Sequence, residues 1–139
     1  MLHSLAKNTL VAAFIFLPAS QAWAKNYTLK SPDGSINITV STKKHLSYQV
    51  KVDDNSIIKP SNISMSFADG THFGIKPQVK NAKRNSVNET LTPVLKIRTA
   101  EVKNNFNQLT LDFKKGYSVT FRAFDEGVAY RFEGASQGK

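Results

Sequence analysis

The sequence contains no cysteine. This absence excludes disulfide bonds, thiolate metal sites, catalysis by a thiol and attachment of a lipid to a cysteine at a processed amino terminus. Any core must therefore be stabilised by packing and hydrogen bonds alone.

Catalytic and cofactor motifs are also lacking. The three histidines, His3, His45 and His72, stand apart, without a carboxylate at metal-ligand spacing. No G-x-S-x-G elbow, phosphate-binding loop or dinucleotide fingerprint occurs. We predict no catalytic, cofactor-binding or metal-binding residue in this chain, and its substrate-binding residues stay unknown.

Acidic residues are few, ten against nineteen Lys and Arg. Asp125 and Glu126 are adjacent and typical of a solvent-exposed turn. Glu101 and Asp112 are predicted to lie near one another on the polar face of a hairpin, as surface residues. Hydrolysis of a glycosidic bond needs two facing carboxyl groups, and the pattern predicts no such pair.

The amino terminus has the three parts of a secretory signal peptide. Lys7 provides positive charge, Leu10–Leu17 is an unbroken apolar run, and Ala22-Trp23-Ala24 resembles a cleavage site. The run is too short to cross a bilayer, which takes roughly 20 residues. We predict a signal peptide over 1–24, one domain over 25–139 with no membrane span after cleavage, and a periplasmic or secreted bacterial location.

Positive charge is in excess, with a formal net charge of +9. Such a balance attracts acidic partners. The basic residues form scattered pairs in expected turns, among them Lys43-Lys44 and Lys114-Lys115, which favours solvated loop charge. Because a nucleic-acid interface usually clusters on one face or helix, we predict no nucleic-acid partner.

Apolar and polar residues alternate with a period of two along most of the chain, and no stretch has convincing helical spacing. Alternation places apolar side chains on one face of a strand. The sequence therefore predicts an all-β, antiparallel sandwich or barrel. Turns are expected at sites that include Asn104-Asn105, and residues 71–92 are predicted to form a long connection with one short strand near Pro77–Val79. The strongest strand signals are Ile36–Val40, Leu46–Val52, Ile63–Phe67, Leu109–Phe113, Tyr117–Ala123 and Val128–Phe132.

Aromatic residues give little support for a sugar-stacking platform. The single tryptophan, Trp23, leaves with the signal peptide. The alternation places Tyr48, Tyr117 and Tyr130 in the core, whereas Tyr27, Phe73, Phe106 and Phe124 break the pattern or lie in connections. Phe124 shares a face with Ser118, Thr120 and Arg122, where packing on a second sheet or a neighbouring domain is favoured over sugar binding.

Several segments together resemble the amino-terminal domain of glycoside hydrolase family 97, an α-glucosidase and α-galactosidase family. The most specific of these segments runs from Phe121 to Phe132 and reads FRAFDEGVAYRF. The similar segments occur in the same order as in the family and together cover nearly all of residues 27 to 133. They include Leu29–Gly34, Ile57–Ser61, Glu89–Val94 and Asn104–Leu109.

This resemblance implies a galactose-mutarotase-like β-sandwich that is assigned to carbohydrate binding. It also implies a partner, the catalytic (β/α)₈ barrel of the same enzyme, which carries the catalytic acids and is absent from this chain. Calcium is expected in the full-length enzyme, but no calcium-binding position can be carried over here.

Two hypotheses from different classes follow. In the first, the chain is a non-catalytic domain of an exported hydrolase of α-glucosides or α-galactosides, truncated before its barrel and not an enzyme by itself. In the second, it is a stand-alone exported β-sandwich module for binding or adhesion.

Overall fold

A computed structural model describes residues 25–92 and 101–134. All regular structure in these residues is β-strand and every paired neighbour is antiparallel, which confirms the all-β, antiparallel prediction. The strands are β1 (Asn26–Lys30), β2 (Ile36–Thr42), β3 (Leu46–Val52), β4 (Asn55–Asn62), β5 (Met65–Ser66), β6 (His72–Phe73), β7 (Val79–Leu91), β8 (Val102–Phe113), β9 (Tyr117–Phe124) and β10 (Gly127–Gly134).

The first sheet follows chain order, β1-β2-β3-β4. Its register sets Leu29 opposite Ile38, and Ile38 opposite Val50. Burial alternates strictly along β2, where every second residue is buried. Because strand side chains alternate between faces, this register brings the apolar residues of β1, β2 and β3 to one face.

The second sheet has the order β10-β9-β8-β7, also a meander. Leu109 of β8 lies opposite Phe121 of β9, and Tyr130 of β10 lies opposite Phe121 on the other side. These residues form the inner face of the second sheet. Residues Phe106, Gln108, Thr120, Arg122 and Phe124 lie on its outer face.

The core lies between the two sheets. Its buried members are contributed by both, and several are completely enclosed, including Val40, Leu46, Leu109, Leu111 and Val119. Burying a side chain of this size stabilises the fold by about 1.5–3 kcal/mol. Contacts of β1 with β8 and β9, and of β2 with β9, hold the sheets face to face.

A small β5–β6 hairpin closes one end of the sandwich. Phe73 stacks on Tyr117 with 4.2 Å between ring centroids, and Tyr117 stacks on Phe113 at 4.6 Å. Next to Phe73, the Gly74 N–H donates a hydrogen bond to the Tyr117 hydroxyl oxygen over 3.0 Å. Burial raises the pKa of Tyr117, because a phenolate would be poorly solvated there.

The region predicted to be a long connection is instead largely strand. β7 has 13 residues and pairs with β8 along almost its whole length. Only Val79 and Val87 of this strand are half-buried. Since only Val79 at the start of the strand packs against the core, the other residues need no apolar alternation, and backbone pairing defines most of the strand.

Three further sequence predictions on strand boundaries were wrong. Of the predicted strand Ile63–Phe67, only Met65 and Ser66 form a strand, β5. Asn104 and Asn105 do not form a turn, since they lie inside β8 opposite Glu89 and Asn88. The segment from Asn55 to Asn62 forms β4, which was not predicted as a strand. It includes Pro60, which a sheet tolerates at an edge because proline lacks an N–H donor.

Four aromatic residues occupy other environments than predicted. Tyr27, Phe73 and Phe106 are buried, although each breaks the alternation or lies in a predicted connection. Tyr130 was predicted to be core but is 43% exposed. Its strand, β10, lies at the edge of the second sheet, so one side of its ring has no covering strand among the described residues.

The predicted signal peptide, 1–24, lies outside the described residues. Within the described ranges, no helix has the length and apolarity needed to cross a membrane.

Candidate functional site

Five of the ten acids gather at one end of the sandwich, called here the acidic end and defined by Asp33, Asp53, Asp54, Asp125 and Glu126. The backbone N–H of Asp33 donates to a carboxylate oxygen of Asp125 over 2.9 Å. The N–H of Asp53 donates to the carbonyl oxygen of Ser35 over 3.0 Å. Three turns that are distant in sequence thus meet, an association that no local pattern indicated.

The Asp33 carboxylate is held as an anion. It accepts hydrogen bonds from the Ser31 hydroxyl at 2.5 Å and from the Ser35 N–H at 2.9 Å. These hydrogen bonds lower the pKa of Asp33, and the bond from Ser31 contributes most. Hydrogen-bond donors have this effect because they stabilise the charged carboxylate. An ionised carboxylate cannot donate a proton to a leaving group, so these hydrogen bonds do not favour Asp33 as a general acid.

The predicted proximity of Glu101 and Asp112 was wrong. Asp112 lies near the end of β8, whereas Glu101 immediately precedes that strand. At about 3.4 Å per residue, the 11 positions between them correspond to roughly 37 Å. Asp112 forms an ion pair with Lys83 of β7 instead, at 2.9 Å.

The described residues do not fit a metal site. No group of three or more His, Cys, Asp or Glu side chains within 25–92 and 101–134 could hold a metal ion. The two histidines of these ranges have structural partners: His72 Nδ1 lies 2.9 Å from the Ser66 hydroxyl, and His45 bridges to Ile75 through the backbone. We therefore assign calcium no ligand among these residues.

Phe124 lies on the outer face of the second sheet, as the alternation predicted, and so does not pack on the first sheet. Its ring contacts Phe106, with centroids 5.2 Å apart. Arg122 places its guanidinium carbon 4.4 Å from the Phe106 ring centre and donates from Nε to Gln108 over 2.8 Å. These contacts hold the arginine flat against the sheet.

A cavity beside this arginine has a volume of about 120 Å³ and includes Ala129 and Arg131 in its lining. Small-molecule sites usually occupy about 300–1,000 Å³, so this cavity is too small for a sugar ring with its neighbours. The contacts of Arg122 with Phe106 and Gln108 are therefore structural.

An apolar edge lies on the side of the sandwich where β10 ends the second sheet. We call it the Tyr130 edge, made up of Tyr48, Ile58, Val128, Tyr130 and Phe132. Tyr130 contacts Tyr48 of the first sheet at 5.4 Å between ring centroids, and the other residues are only partly buried against the core. An edge strand has backbone groups available for another strand, and this one also has exposed apolar surface.

The amino-acid sequence matches the family described as Glycosyl-hydrolase 97 N-terminal over residues 29–139. The chain belongs to this family. The match spans every described strand except β1, of which it includes the last two residues.

Two relatives place the family 97 domain within much longer proteins. It is 37% identical over 133 residues to a retaining α-galactosidase of Bacteroides thetaiotaomicron, covering 96% of this chain and 20% of that protein. It matches a glycoside hydrolase family 97 enzyme of Pseudoalteromonas sp. strain K8, solved in complex with acarbose, at 29% identity and a TM-score of 0.72. That match covers 81% of this chain and 18% of the enzyme. The chain thus spans about a fifth of these relatives.

A solved β-arabinopyranosidase also matches, with a TM-score of 0.72 over 82% of this chain and 19% of that protein. At 20% identity, this similarity shows a shared fold only.

Proposed function

We propose that the family 97 domain is the non-catalytic, carbohydrate-binding-type amino-terminal part of an exported bacterial hydrolase of α-glucosides or α-galactosides. Its role is to support a catalytic barrel that lies outside this chain. The observation that carries the proposal is the unequal coverage: almost the whole chain aligns with a retaining α-galactosidase, but with only 20% of its length.

The distribution of carboxylates supports a non-catalytic role. Glycoside hydrolysis needs two carboxyl groups about 5–9.5 Å apart on opposite sides of the bond that breaks. The backbone N–H of Asp33 donates to Asp125 at an exposed end, and the lowered pKa of Asp33 does not favour it as a proton donor. In this proposal the reacting carboxylates, and the ligands of any calcium ion, belong to the remainder of the enzyme.

The Tyr130 edge supports docking to further parts of such an enzyme. Covering Tyr130 and the partly buried Val128 and Phe132 would remove apolar surface from water, which favours association by roughly 25 cal/mol per Å². A barrel domain, or strands that precede it in the chain, would provide this cover.

A chimera tests the supporting role. Residues 29–134 of this chain replace the matching segment of the Bacteroides α-galactosidase, and hydrolysis of an aryl α-galactoside is measured. We expect the chimera to be active, because the grafted domain would reproduce the surface on which the barrel rests. The chain alone should release no aryl alcohol from an α-glucoside or α-galactoside, with or without calcium.

A second chimera carries Tyr130→Asp, which places a charge on the Tyr130 edge. Its control is a chimera with Val102→Asp, at a similarly exposed apolar residue of β8. Loss of activity in the first and retention in the second support docking through the Tyr130 edge. A folded but inactive parent chimera contradicts the supporting role, and turnover by the chain alone contradicts the non-catalytic assignment.

Export is part of the proposal. Signal-peptide cleavage between Ala24 and Lys25 predicts that the protein recovered from the periplasm or medium begins at Lys25. Intact-mass measurement on that fraction checks the site. Recovery of a cytoplasmic form that retains Met1 contradicts export.

A further inference from the structure

Basic side chains meet at the end of the sandwich opposite the acidic end. Successive strands of a meander reverse direction, so alternate turns lie at opposite ends. The turns after β1, β3 and β9 form the acidic end, whereas Lys43-Lys44 follows β2 and Lys114-Lys115 follows β8. The lysines of these turns therefore lie at the end of the sandwich opposite the acidic end, an end towards which Asp112 of β8 and Glu133 of β10 also lie.

Backbone hydrogen bonds join the basic turns into one surface. Thr42 N–H donates to the Lys25 carbonyl oxygen over 3.3 Å, and Lys76 N–H donates to that of Lys44 over 3.0 Å. Lys114 N–H donates to the Gln78 carbonyl oxygen over 2.9 Å. The start of the described chain, the turn after β2, the segment before β7 and the turn after β8 are thereby held side by side.

These segments surround an open cavity of about 770 Å³, which we call the lysine cavity. Its size is within the range of about 300–1,000 Å³ that is usual for ligand sites. Ten of the residues that the structure describes line it, and none of these ten is acidic. Five are exposed lysines, namely Lys25, Lys43, Lys44, Lys76 and Lys114.

Lys76 has an unusual backbone conformation, with φ of 45°. Residues other than glycine, asparagine and aspartate rarely adopt this left-handed backbone conformation, which costs an L-residue about 1–2 kcal/mol of stability. The bond to Lys44 and the buried Pro77 hold it in place. A strained residue that adds positive charge to a cavity already lined by lysines points to a functional demand.

We propose that the lysine cavity binds an anionic glycan, a carbohydrate chain that carries sulfate or carboxylate groups. Lysine ammonium groups are donors without acceptor capacity, so the ligand must provide negatively charged oxygens. A cavity lined by one sign of charge concentrates its field and attracts such a ligand. The concave shape accommodates an extended chain better than the flat surface of a second protein.

Only the choice of carbohydrate as ligand rests on the proposed function. The binding test needs neither a barrel nor turnover, and the chimera experiment needs no lysine of this cavity. Failure of one therefore leaves the other standing.

The experiment measures binding of the full chain to dextran sulfate and to neutral dextran of the same length. The α-glucan backbone is the same in both, so the comparison isolates the sulfate groups. We expect saturable binding to dextran sulfate and none to dextran. Raising the ionic strength to about 1 M, where the Debye length is about 3 Å, should abolish binding.

A charge-reversed double variant, Lys44→Glu with Lys114→Glu, should raise the Kd for dextran sulfate by at least about tenfold, since two attractive charges become repulsive. The matched control is Lys51→Glu with Lys59→Glu, which changes net charge equally at exposed residues of β3 and β4. The control should change the Kd by less than about threefold. If the reversed variant does not fold, Lys44→Gln with Lys114→Gln should still weaken binding more than the corresponding change at Lys51 and Lys59.

Equal losses in the cavity and control variants would overturn the site, because binding would then depend on net charge alone. Inorganic polyphosphate of matched charge tests the ligand class. Binding as tight as that of dextran sulfate would overturn the glycan assignment, and clearly weaker binding would support it. Preferential binding to an acidic protein surface or to vesicles of anionic lipid would also overturn it.

Discussion

The Asp33 carboxylate shows how single hydrogen bonds set the properties of the acidic end. The donors from Ser31 and Ser35 lower its pKa from the ordinary value of 3.8. Because its pKa is lower in the folded state, the ionised group stabilises the fold at pH values above its pKa in the unfolded chain. This stabilisation disappears as the pH falls through the folded pKa. Sequence alone indicated the turn, but not the contact with Asp125, which lies 92 positions away.

Replacing Asp33 with asparagine should therefore destabilise the domain at neutral pH, and the difference should shrink as the pH falls below 3.8. Chemical denaturation at a series of pH values measures it. Asp54→Asn removes the same charge from an exposed turn at the same end and serves as the control. A difference from the parent that stays constant with pH would contradict this role for the carboxylate.

Gly74 is a position at which both the backbone conformation and the surrounding atoms exclude a side chain. Its φ is 84°, and an added Cβ would lie 2.3 Å from the carbonyl oxygen of Ile63. Gly70 has nearly the same φ, 83°, but nothing lies within 4 Å of its missing Cβ. The two glycines therefore separate backbone strain from steric clash.

Gly70→Ala should cost about 1–2 kcal/mol of unfolding free energy, the usual cost of a left-handed conformation for an L-residue. Gly74→Ala should cost clearly more, because the clash also displaces the N–H that donates to Tyr117. Denaturation midpoints of the two variants measure the difference. Equal costs would show that Ile63 moves aside freely.

Among the strands, β7 and β9 represent the two extremes of predictability. β9 alternates apolar and polar residues because its inner face packs on the first sheet, so its pattern predicted it correctly. β7 is exposed on both faces for most of its length and has no such pattern. Local sequence therefore predicts strands that help to build the core, and misses those that depend only on pairing with a neighbour.

β7 should consequently open more easily than the rest of its sheet. We expect amides from Asn81 to Leu91 to exchange hydrogen faster than those of β9, since few apolar contacts oppose local separation from β8. Native-state hydrogen exchange followed by mass spectrometry or NMR provides the measurement. Equal protection of β7 and β9 would indicate that the sheet opens only as a unit.

For the whole molecule, the balance between apolar edges and net charge governs association. The Tyr130 edge presents backbone groups and apolar side chains that can pair with a second copy. The net charge of +9 opposes that contact, but salt screens charge beyond about 8 Å at physiological ionic strength. The isolated chain should therefore associate with itself as salt is added.

Tyr130→Lys should reduce this association, because it places a charge on the edge where copies would meet. Val102→Lys, at a residue of similar exposure (44% against 43%), adds the same charge on β8 and should have a smaller effect. Analytical ultracentrifugation across a salt series distinguishes them. A clean monomer with a sharp, reversible unfolding transition at physiological salt would favour the stand-alone binding or adhesion module.

The sequence by itself determined the class of fold and much of the core, because alternation places the side chains of residues such as Ile38, Val50 and Phe121 on one face of each strand. The tertiary structure decided which surfaces form. It brought Asp33 to Asp125 and gathered five lysines around one cavity. Lysines separated by up to 89 positions became neighbours because the meander returns alternate turns to the same end, a relation that depends on strand order and direction rather than on any local pattern.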